Sequence, residues 1–290
     1  MKASRIVFSI LACGFLTGVF AAGAQAQSAD QMRIFNTIRT KLKEGKQVVG
    51  GTVSSSDPDI YCAMANSGWD FTWIEMQHST LTFQEVARMI WACRNAPAMP
   101  FVRVPDATEG DIQKATDMGA AGIIIPMVES MDKVKNAIKF AKYPPLGKRS
   151  QGGGQYGALW GQDYRKIAND NVMIVAMIES PAGVAIAEEL AAYPGVDAIF
   201  AASTDLSSFS GLKQGDPKYE EMVTKIKTAT LKSGKALGGP LAWKGTREGF
   251  NFFQGPGEGV LIRSGVKAAL GGAVEGPKKG VAALEGTEGK

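Results

Sequence analysis

Four ionisable side chains follow strand-like segments of the sequence, and together they could carry out acid–base and metal chemistry. They are His78, Arg103, Glu179 and Asp205. Each closes or closely follows a short run of apolar and β-branched residues, a pattern that predicts a buried strand. In an α/β barrel the loops at the C-terminal strand ends converge on one mouth. We therefore expect the four side chains to face one cavity.

Each of these residues taken alone also has a purely structural interpretation. His78 is the only histidine of the chain, and a single histidine is more often a hydrogen-bonded structural residue than a catalyst. Arg103 could simply pair with a carboxylate, and Asp205 could cap a helix. Glu179 ends an apolar run, where an unpaired buried carboxylate would be costly and a metal ion or another cation would relieve that cost.

The types of these residues indicate which metal they could bind. With one histidine and no cysteine at the predicted site, a zinc site of the usual nitrogen and sulfur type is not expected. Two carboxylates from adjacent strands, Glu179 and Asp205, suit an octahedral cation such as Mg²⁺ or Mn²⁺. Such a cation keeps positions open for water and for a chelating substrate, and a 2-keto acid is a natural chelator.

The elements that must position these residues alternate along the chain. Short apolar runs predict eight strands, at 47–54, 71–76, 99–104, 122–128, 172–179, 197–203, 235–241 and 259–263. Apolar residues spaced three and four apart between these runs predict amphipathic helices, at 83–95, 109–118, 131–141, 181–192 and 219–233.

Eight such units favour a closed (β/α)8 barrel over an open doubly wound sheet. The units follow one another without a linker, and the first strand is not followed by the glycine-rich phosphate turn of dinucleotide-binding sheets. Between the fourth and fifth strands, the basic, glycine-rich segment 148–154 predicts a mobile loop at the active-site face, or else a plain connector.

The N-terminal segment has the order of a secretory signal peptide. Lys2 and Arg5 precede an apolar stretch that ends in small residues, so we predict cleavage after Ala26 and export to the periplasm, with no membrane anchor. Removal of residues 1–26 lowers the formal net charge from +4 to +2, a value that does not favour nucleic-acid binding. Residues 272–290 are predicted to form a flexible tail.

The two cysteines that follow the predicted cleavage site, Cys62 and Cys93, allow two interpretations. In an oxidising compartment they could form a disulfide. Alternatively, thiols a full structural unit apart could each be a small buried hydrophobe. The sequence leaves this choice open.

Five segments of the chain resemble motifs of the HpcH/HpaI aldolase family. They include the family's segment of apolar strand, acidic residue, two spacers and histidine, its arginine motif, its fourth strand and its two metal-ligand motifs. The segments are 68–78 (GWDFTWIEMQH), 100–105 (PFVRVP), 119–128 (GAAGIIIPMV), 177–180 (MIES) and 204–207 (TDLS). The resemblance extends from about residue 34 to 271 in the same order, and it fades toward the last strand.

The resemblance implies a fold, an activity and roles for particular residues. The fold is a TIM barrel of the phosphoenolpyruvate/pyruvate-domain type, covering residues 27–271. Family members are class II aldolases that use Mg²⁺ or Mn²⁺ and join or split a 2-keto acid and an aldehyde through a pyruvate enolate. They form homo-oligomers, commonly hexamers of dimers that exchange their last helices.

By the same resemblance, Glu179 and Asp205 bind the metal. Arg103 steadies the substrate's keto or enolate oxygen. His78, oriented by Glu75, acts as the base, directly or through a water molecule. The resemblance also places three further residues at the substrate: Pro126, Ser203 and Thr204.

Several positions depart from the family pattern. The family usually has an aspartate where this chain has Glu75, a glutamate where it has Gln77 and a glutamine where it has Met177. Ala202-Ser203 occupies the position of a Gly-Pro pair beside the second metal ligand. These departures affect the expected substrate more than the expected metal.

Two alternatives to the aldolase remain at this stage. A lyase similar to the citrate lyase β subunit would act on a thioester and would use a basic cleft, for which Lys148-Arg149 is the candidate. A non-catalytic exported protein would bind a keto acid for uptake or sensing. The presence of His78 argues against this second alternative, because a receptor needs no general base.

Overall fold

The structure, a computed structural model, describes residues 32–272. The predicted signal peptide, residues 1–26, and all but the first residue of the predicted tail lie outside the described residues. In the described range, no helix combines the length and apolar character needed to cross a bilayer.

Eight strands form a closed barrel in the order in which they occur along the chain. Every neighbouring pair is parallel, including the pair of the first and last strands. This confirms the predicted (β/α)8 barrel. The strands are β1 Val48–Val53, β2 Phe71–Glu75, β3 Met99–Arg103, β4 Gly122–Ile125, β5 Met173–Ile178, β6 Ala198–Ala201, β7 Ala236–Pro240 and β8 Phe252–Gly257.

Helices cover the outside of the barrel, and a 3-10 turn, Leu241–Trp243, follows β7. The segment 181–192, predicted as one helix, is two short helices that meet at Ile186. The helices are α1 Thr37–Lys43, α2 Pro58–Ala65, α3 Phe83–Ala92, α4 Glu109–Asp117, α5 Met131–Ala141, α6 Tyr156–Trp160, α7 Tyr164–Asn171, α8 Pro181–Ala185, α9 Ala187–Ala192, α10 Ser203–Ser210, α11 Pro217–Lys232 and α12 Glu258–Ala269.

The prediction of the eighth strand was wrong. Residues 259–263 lie in α12, and the last strand is β8, which ends in Gly255-Pro256-Gly257. These residues are typical of a turn. The pairing of β8 with β1 shifts register between Gly50 and Thr52, and this irregularity accommodates a proline that has no N–H group for the ladder.

The placement of the basic segment 148–154 at the active-site face was also wrong. Arg149 is buried, and its guanidinium donates to Asp117 Oδ1 and to the Tyr164 hydroxyl, both at 2.9 Å. Asp117 is the last residue of α4, which leads into the start of β4. The segment therefore lies toward the N-terminal ends of the strands, the opposite face from the predicted site.

Aromatic side chains fill the interior of the barrel. The Phe71 ring lies 5.0 Å from that of Phe101 and 4.6 Å from that of Phe252. Glycine makes room for these rings, because a Cβ atom at Gly50 would lie 2.2 Å from the Phe71 ring and one at Gly122 would lie 2.1 Å from the Phe101 ring. The barrel is thus a packed core, and a substrate can enter only at a mouth.

Cys62 and Cys93 form a disulfide, which resolves the choice that the sequence left open. Cys62 lies in α2 and Cys93 caps the C-terminus of α3. These two helices pack side by side, so the Cα atoms are 5.4 Å apart despite a separation of 31 residues.

Because this cross-link restricts the unfolded chain, we expect its reduction to lower the free energy of unfolding by about 2–4 kcal/mol. Urea unfolding with and without a reducing agent measures the difference. The variant Cys62→Ser/Cys93→Ser is the control, because its stability should be low and independent of the reducing agent. Equal stability of the reduced and oxidised wild type would contradict the prediction.

Candidate functional site

A cavity of about 300 Å³ opens at the C-terminal ends of the strands. It brings together His78, Arg103, Glu179 and Asp205, as the sequence predicted, together with Ser203 and Thr204. Glu75 and Pro126 are buried beside the site and do not line the cavity. The lining residues are His78, Arg103, Met177, Glu179, Phe200, Ala202, Ser203, Thr204, Asp205, Pro240 and Gln254.

Arg103 lies between two buried carboxylates. Its Nη1 is 3.2 Å from Glu75 Oε2, and its Nη2 is 3.1 Å from Glu179 Oε1. The side chain is only 7% exposed, and its buried Nε has no hydrogen-bond partner. The guanidinium therefore joins β2, β3 and the end of β5, and three of its five N–H groups, including that of the buried Nε, have no acceptor.

Glu179 is the most deeply buried carboxylate of the site, with 1% of its surface exposed. It accepts hydrogen bonds from Arg103 and from the backbone N–H of Met127. Burial raises the pKa of Glu179, and Asp205, which lies within hydrogen-bonding reach, raises that pKa further; the Met127 and Arg103 bonds oppose the rise. Two close carboxylates of which one is desolvated form a place where a cation is favoured.

Glu75 holds the backbone of the loop that carries His78. Its Oε1 accepts from the backbone N–H groups of Gln77, at 2.9 Å, and of His78, at 3.0 Å. Its Oε2 accepts from Trp73 Nε1 and from Arg103. The resemblance implied that Glu75 orients the imidazole of His78. Instead, Glu75 accepts hydrogen bonds from main-chain N–H groups and fixes the backbone of His78. His78 itself is exposed at the rim of the cavity.

Asp205 is in the first turn of α10 and is not the cap of that helix. The N-cap residue is Ala202, which has no side chain able to bond the first N–H groups. Ala202, Ser203 and Thr204 line the cavity along with Asp205. The N-terminus of α10 thus presents uncapped N–H groups beside the carboxylates, and such groups bind anions.

Pro126 and Met127 directly follow β4, and Met127 contacts Glu179. Met127 has a φ of +50°, a left-handed conformation that few residues other than glycine adopt. This conformation aims the Met127 N–H group at Glu179 Oε2. Backbone strain of this kind persists only where the surroundings enforce it, and it is common at functional sites.

Three lining residues were not predicted from the sequence, namely Phe200, Pro240 and Gln254. Phe200 is an interior residue of β6, and Pro240 ends β7. Gln254 was missed because β8 was placed too late in the chain. With the correct strand, an amide three residues into β8 would have been a candidate.

The carboxylates fit a hard divalent cation. Among residues 32–272, no group of three or more histidine, cysteine, aspartate or glutamate side chains forms a closed metal site. Glu179 and Asp205 offer two carboxylates at the edge of an open cavity. This donor set suits Mg²⁺ or Mn²⁺, which take the remaining ligands from water and substrate.

Comparisons with known proteins agree with this fold and identify a family. The family model HpcH/HpaI aldolase/citrate lyase matches residues 52–242. The chain is 30% identical to a 2-dehydro-3,6-dideoxy-6-sulfogluconate aldolase of Pseudomonas putida, with 69% of this chain and 78% of the relative covered. It is 31% identical to a hydroxypyruvate/pyruvate aldolase of Paraburkholderia phytofirmans, with 70% and 82% covered.

A solved structure of the same family has a similar fold. The crystal structure of an HpcH/HpaI aldolase from Desulfitobacterium hafniense superposes with a TM-score of 0.74 at 28% identity, and the match covers 83% of this chain and 97% of that one.

The strained backbone at Met127 leads to a stability prediction. We expect Met127→Val to lower the free energy of unfolding by about 1–3 kcal/mol, because a β-branched residue disfavours a positive φ. Met127→Gly should be at least as stable as the wild type, since glycine adopts this conformation without strain. Urea unfolding followed by tryptophan fluorescence measures both.

Met127→Asn serves as a control of similar size that tolerates the left-handed region. It should be more stable than Met127→Val. If Gly, Asn and Val all destabilise the protein equally, side-chain packing and not the backbone conformation determines the effect.

Proposed function

The chain belongs to the HpcH/HpaI aldolase/citrate lyase family and is a carbon–carbon lyase, and from this premise we propose that it is a class II pyruvate aldolase. It forms or cleaves a 4-hydroxy-2-keto acid through the enolate of pyruvate. The observation that carries the proposal is the convergence of Glu179, Asp205, Arg103 and His78 on one cavity.

Glu179 and Asp205 would hold the divalent cation, Mg²⁺ or Mn²⁺. When bound, the cation would accept the keto acid as a chelating ligand and would stabilise the negative charge of its enolate. Its charge would also offset the repulsion between the two carboxylates, which raises the pKa of Glu179. The proposal is supported by the charges of the site, because the single positive charge of Arg103 stands against three carboxylates, Glu75, Glu179 and Asp205, and a further cation would offset the remaining charge.

Arg103 would stabilise the charge that appears on the keto oxygen as the enolate forms. A guanidinium fixed in place before the reaction stabilises the transition state more than the ground state. Arg103 meets this condition, because Glu75 and Glu179 each accept from one of its terminal nitrogens, and each of these nitrogens keeps a second N–H group that could bond the substrate.

His78 would move the proton. In the addition direction, its imidazole takes a proton from the methyl carbon of pyruvate, and this carbon then bonds to the carbonyl carbon of the aldehyde, whose oxygen takes up a proton. Cleavage is the reverse. An imidazole suits this role because it can both accept and donate a proton. Glu75 supports it by fixing the backbone of His78.

The substrate carboxylate would lie at the N-terminus of α10, where Ser203 and Thr204 line the cavity. Pro126 would act only through its neighbour Met127, which contacts Glu179. We do not extend the proposal to a thioester substrate, because the basic residue Arg149 is buried in contacts at the other end of the barrel.

We also propose that the protein is exported and works in the periplasm. The N-terminal segment 1–26 supports export, and the disulfide between Cys62 and Cys93 suits an oxidising compartment. Mass spectrometry of the protein from a periplasmic fraction tests this. A cytoplasmic chain that retains residues 1–26 would contradict it.

Finally, we propose that the protein is a homo-oligomer, a hexamer or trimer of dimers, that associates through α12. This helix has no buried residue, and it exposes an apolar set to solvent. Soluble monomers rarely expose such a contiguous apolar surface. The set is Val260, Ile262, Val266 and Leu270, each 48–61% exposed.

The enolate step can be measured directly. With Mg²⁺ or Mn²⁺ and pyruvate in deuterated solvent, we expect deuterium to enter the methyl group of pyruvate. We expect His78→Ala to slow this exchange by about 10²–10⁴-fold, because the base is lost. A chelator should stop it, and so should Asp205→Asn. Nuclear magnetic resonance of the methyl signal provides the rate.

The same samples distinguish an enzyme from a receptor. Calorimetry measures the binding of pyruvate to each variant. Tight binding without exchange in the wild type would favour the keto-acid receptor over the aldolase. Exchange that persists in His78→Ala would keep the aldolase but contradict the role of this residue.

For the oligomer, we expect Ile262→Glu/Val266→Glu to reduce the molar mass measured by light scattering after size-exclusion chromatography. Burying a charge at an apolar interface is unfavourable, so the copies should separate. Lys232→Glu, at an exposed position at the end of α11, is the control and should keep the mass of the wild type. A wild type that is monomeric at micromolar concentration contradicts the proposal.

A further inference from the structure

One wall of the cavity is formed by the ends of β7 and β8 and plays no part in the proposed enolate chemistry. Pro240 and Gln254 line it. They lie on strands other than those that carry the proposed base, arginine and metal ligands. Since the aldehyde must also bind in the cavity, this wall is the available surface for it.

The amide of Gln254 has a defined orientation. Its Nε2 donates to Thr52 Oγ1 at 3.3 Å, and the Thr52 hydroxyl donates to the Gly255 carbonyl at 2.9 Å. Because a hydroxyl has a single hydrogen, Thr52 can only accept from Gln254. The amide nitrogen therefore faces Thr52, and Gln254 Oε1 remains available as an acceptor at the cavity.

The charge of the cavity indicates which aldehydes fit. Among the described residues that line it, Arg103 is the single lysine or arginine. Its guanidinium is already paired with Glu75 and Glu179. An aldehyde with a carboxylate or a phosphate group would find no free cation on the wall of Pro240 and Gln254, and it would lie near Asp205.

The volume sets a further limit. About 300 Å³ must hold pyruvate and the aldehyde together. Because the cavity opens to solvent, this volume limits the part of the aldehyde that lies beside the keto acid, and a short aldehyde fits wholly within it. A hydroxyl group on such an aldehyde would have a partner in Gln254 Oε1, whereas an alkyl group would leave that oxygen without a hydrogen bond.

We infer that Gln254 determines the choice of aldehyde and that the substrate is a short, uncharged hydroxyaldehyde whose hydroxyl group donates to Gln254 Oε1. This inference rests on the proposed aldolase function. Gln254 takes no proton in the reaction; the new carbon–carbon bond and the proton transfers are those given above. Thr52 is a positioning residue, because it acts on the aldehyde only through Gln254.

The test compares two aldehydes of equal size, glycolaldehyde and propanal, with pyruvate as the donor. The measured quantity is the ratio of their kcat/KM values within each variant, so a general loss of activity or folding cancels. The wild type should prefer glycolaldehyde. Gln254→Met keeps the length of the side chain but loses the acceptor, and we expect the ratio to fall by about threefold to tenfold, as for one hydrogen bond.

Thr52 supplies a matched pair of variants. Thr52→Val loses the hydroxyl that orients the amide and should shift the ratio in the same direction. Thr52→Ser keeps the hydroxyl and should restore the wild-type ratio. If Gln254→Met does not fold, this pair decides the outcome. Glyoxylate, which carries a carboxylate, should be a poorer acceptor than glycolaldehyde for the wild type.

The outcomes separate this inference from the proposed function. Absence of deuterium exchange into pyruvate in the wild type would contradict the aldolase itself. Exchange together with an unchanged ratio in Gln254→Met, or an equal ratio in both Thr52 variants, would overturn the role of Gln254. A wild type that prefers glyoxylate would overturn the uncharged class of substrate.

Discussion

The ion pairs of Arg103 with Glu75 and Glu179 are the interaction on which the site depends. All three side chains are at most 7% exposed. Loss of the arginine would leave two buried carboxylates without their counter-charge, a change that typically costs about 3–5 kcal/mol. The ion pairs also fix the positions of neighbouring groups in the site. Through Glu75 they connect to the backbone of His78, and through Glu179 they connect to Met127 and Asp205. One guanidinium thereby links the proposed base to the proposed metal ligands.

The site contains three features that are energetically unfavourable. Burial and the neighbouring carboxylate raise the pKa of Glu179, Met127 has a left-handed backbone, and Arg103 Nε is buried without a partner. The first two have a stabilising counterpart in the proposed complex or in the fold, namely a cation for the carboxylates and a hydrogen bond to Glu179 for the strained peptide. Natural proteins retain such costs mainly at functional sites.

Two further stabilising features lie away from the cavity. At the N-terminal ends of the strands, the guanidinium of Arg149 lies 4.7–5.4 Å from the ring centres of Tyr143, Tyr156 and Tyr164. The disulfide joins α2 to α3 on the outside of the barrel. This division is typical of the fold, in which one face carries the chemistry and the opposite face carries the stability. It leaves the C-terminal face free to differ in residues such as Gln254, which we infer to select the aldehyde.

The sequence by itself determined the barrel, the first seven strands and the four ionisable residues at the strand ends, because apolar periodicity and burial act over a few neighbouring residues. The tertiary structure decided what depends on distant partners. The last strand contains a proline and glycines, and only pairing with β1 makes it a strand. Gln254 was therefore not predicted as a residue of the site. Arg149 is placed by Asp117 and Tyr164, Cys62 meets Cys93 because two helices pack together, and Glu75 binds main-chain N–H groups instead of an imidazole. The contacts of Gln254, Arg149 and the two cysteines have no local signature, because they join separate elements of the barrel. The Glu75 bonds are local, to N–H groups two and three residues further on, and they form because the chain bends directly after β2.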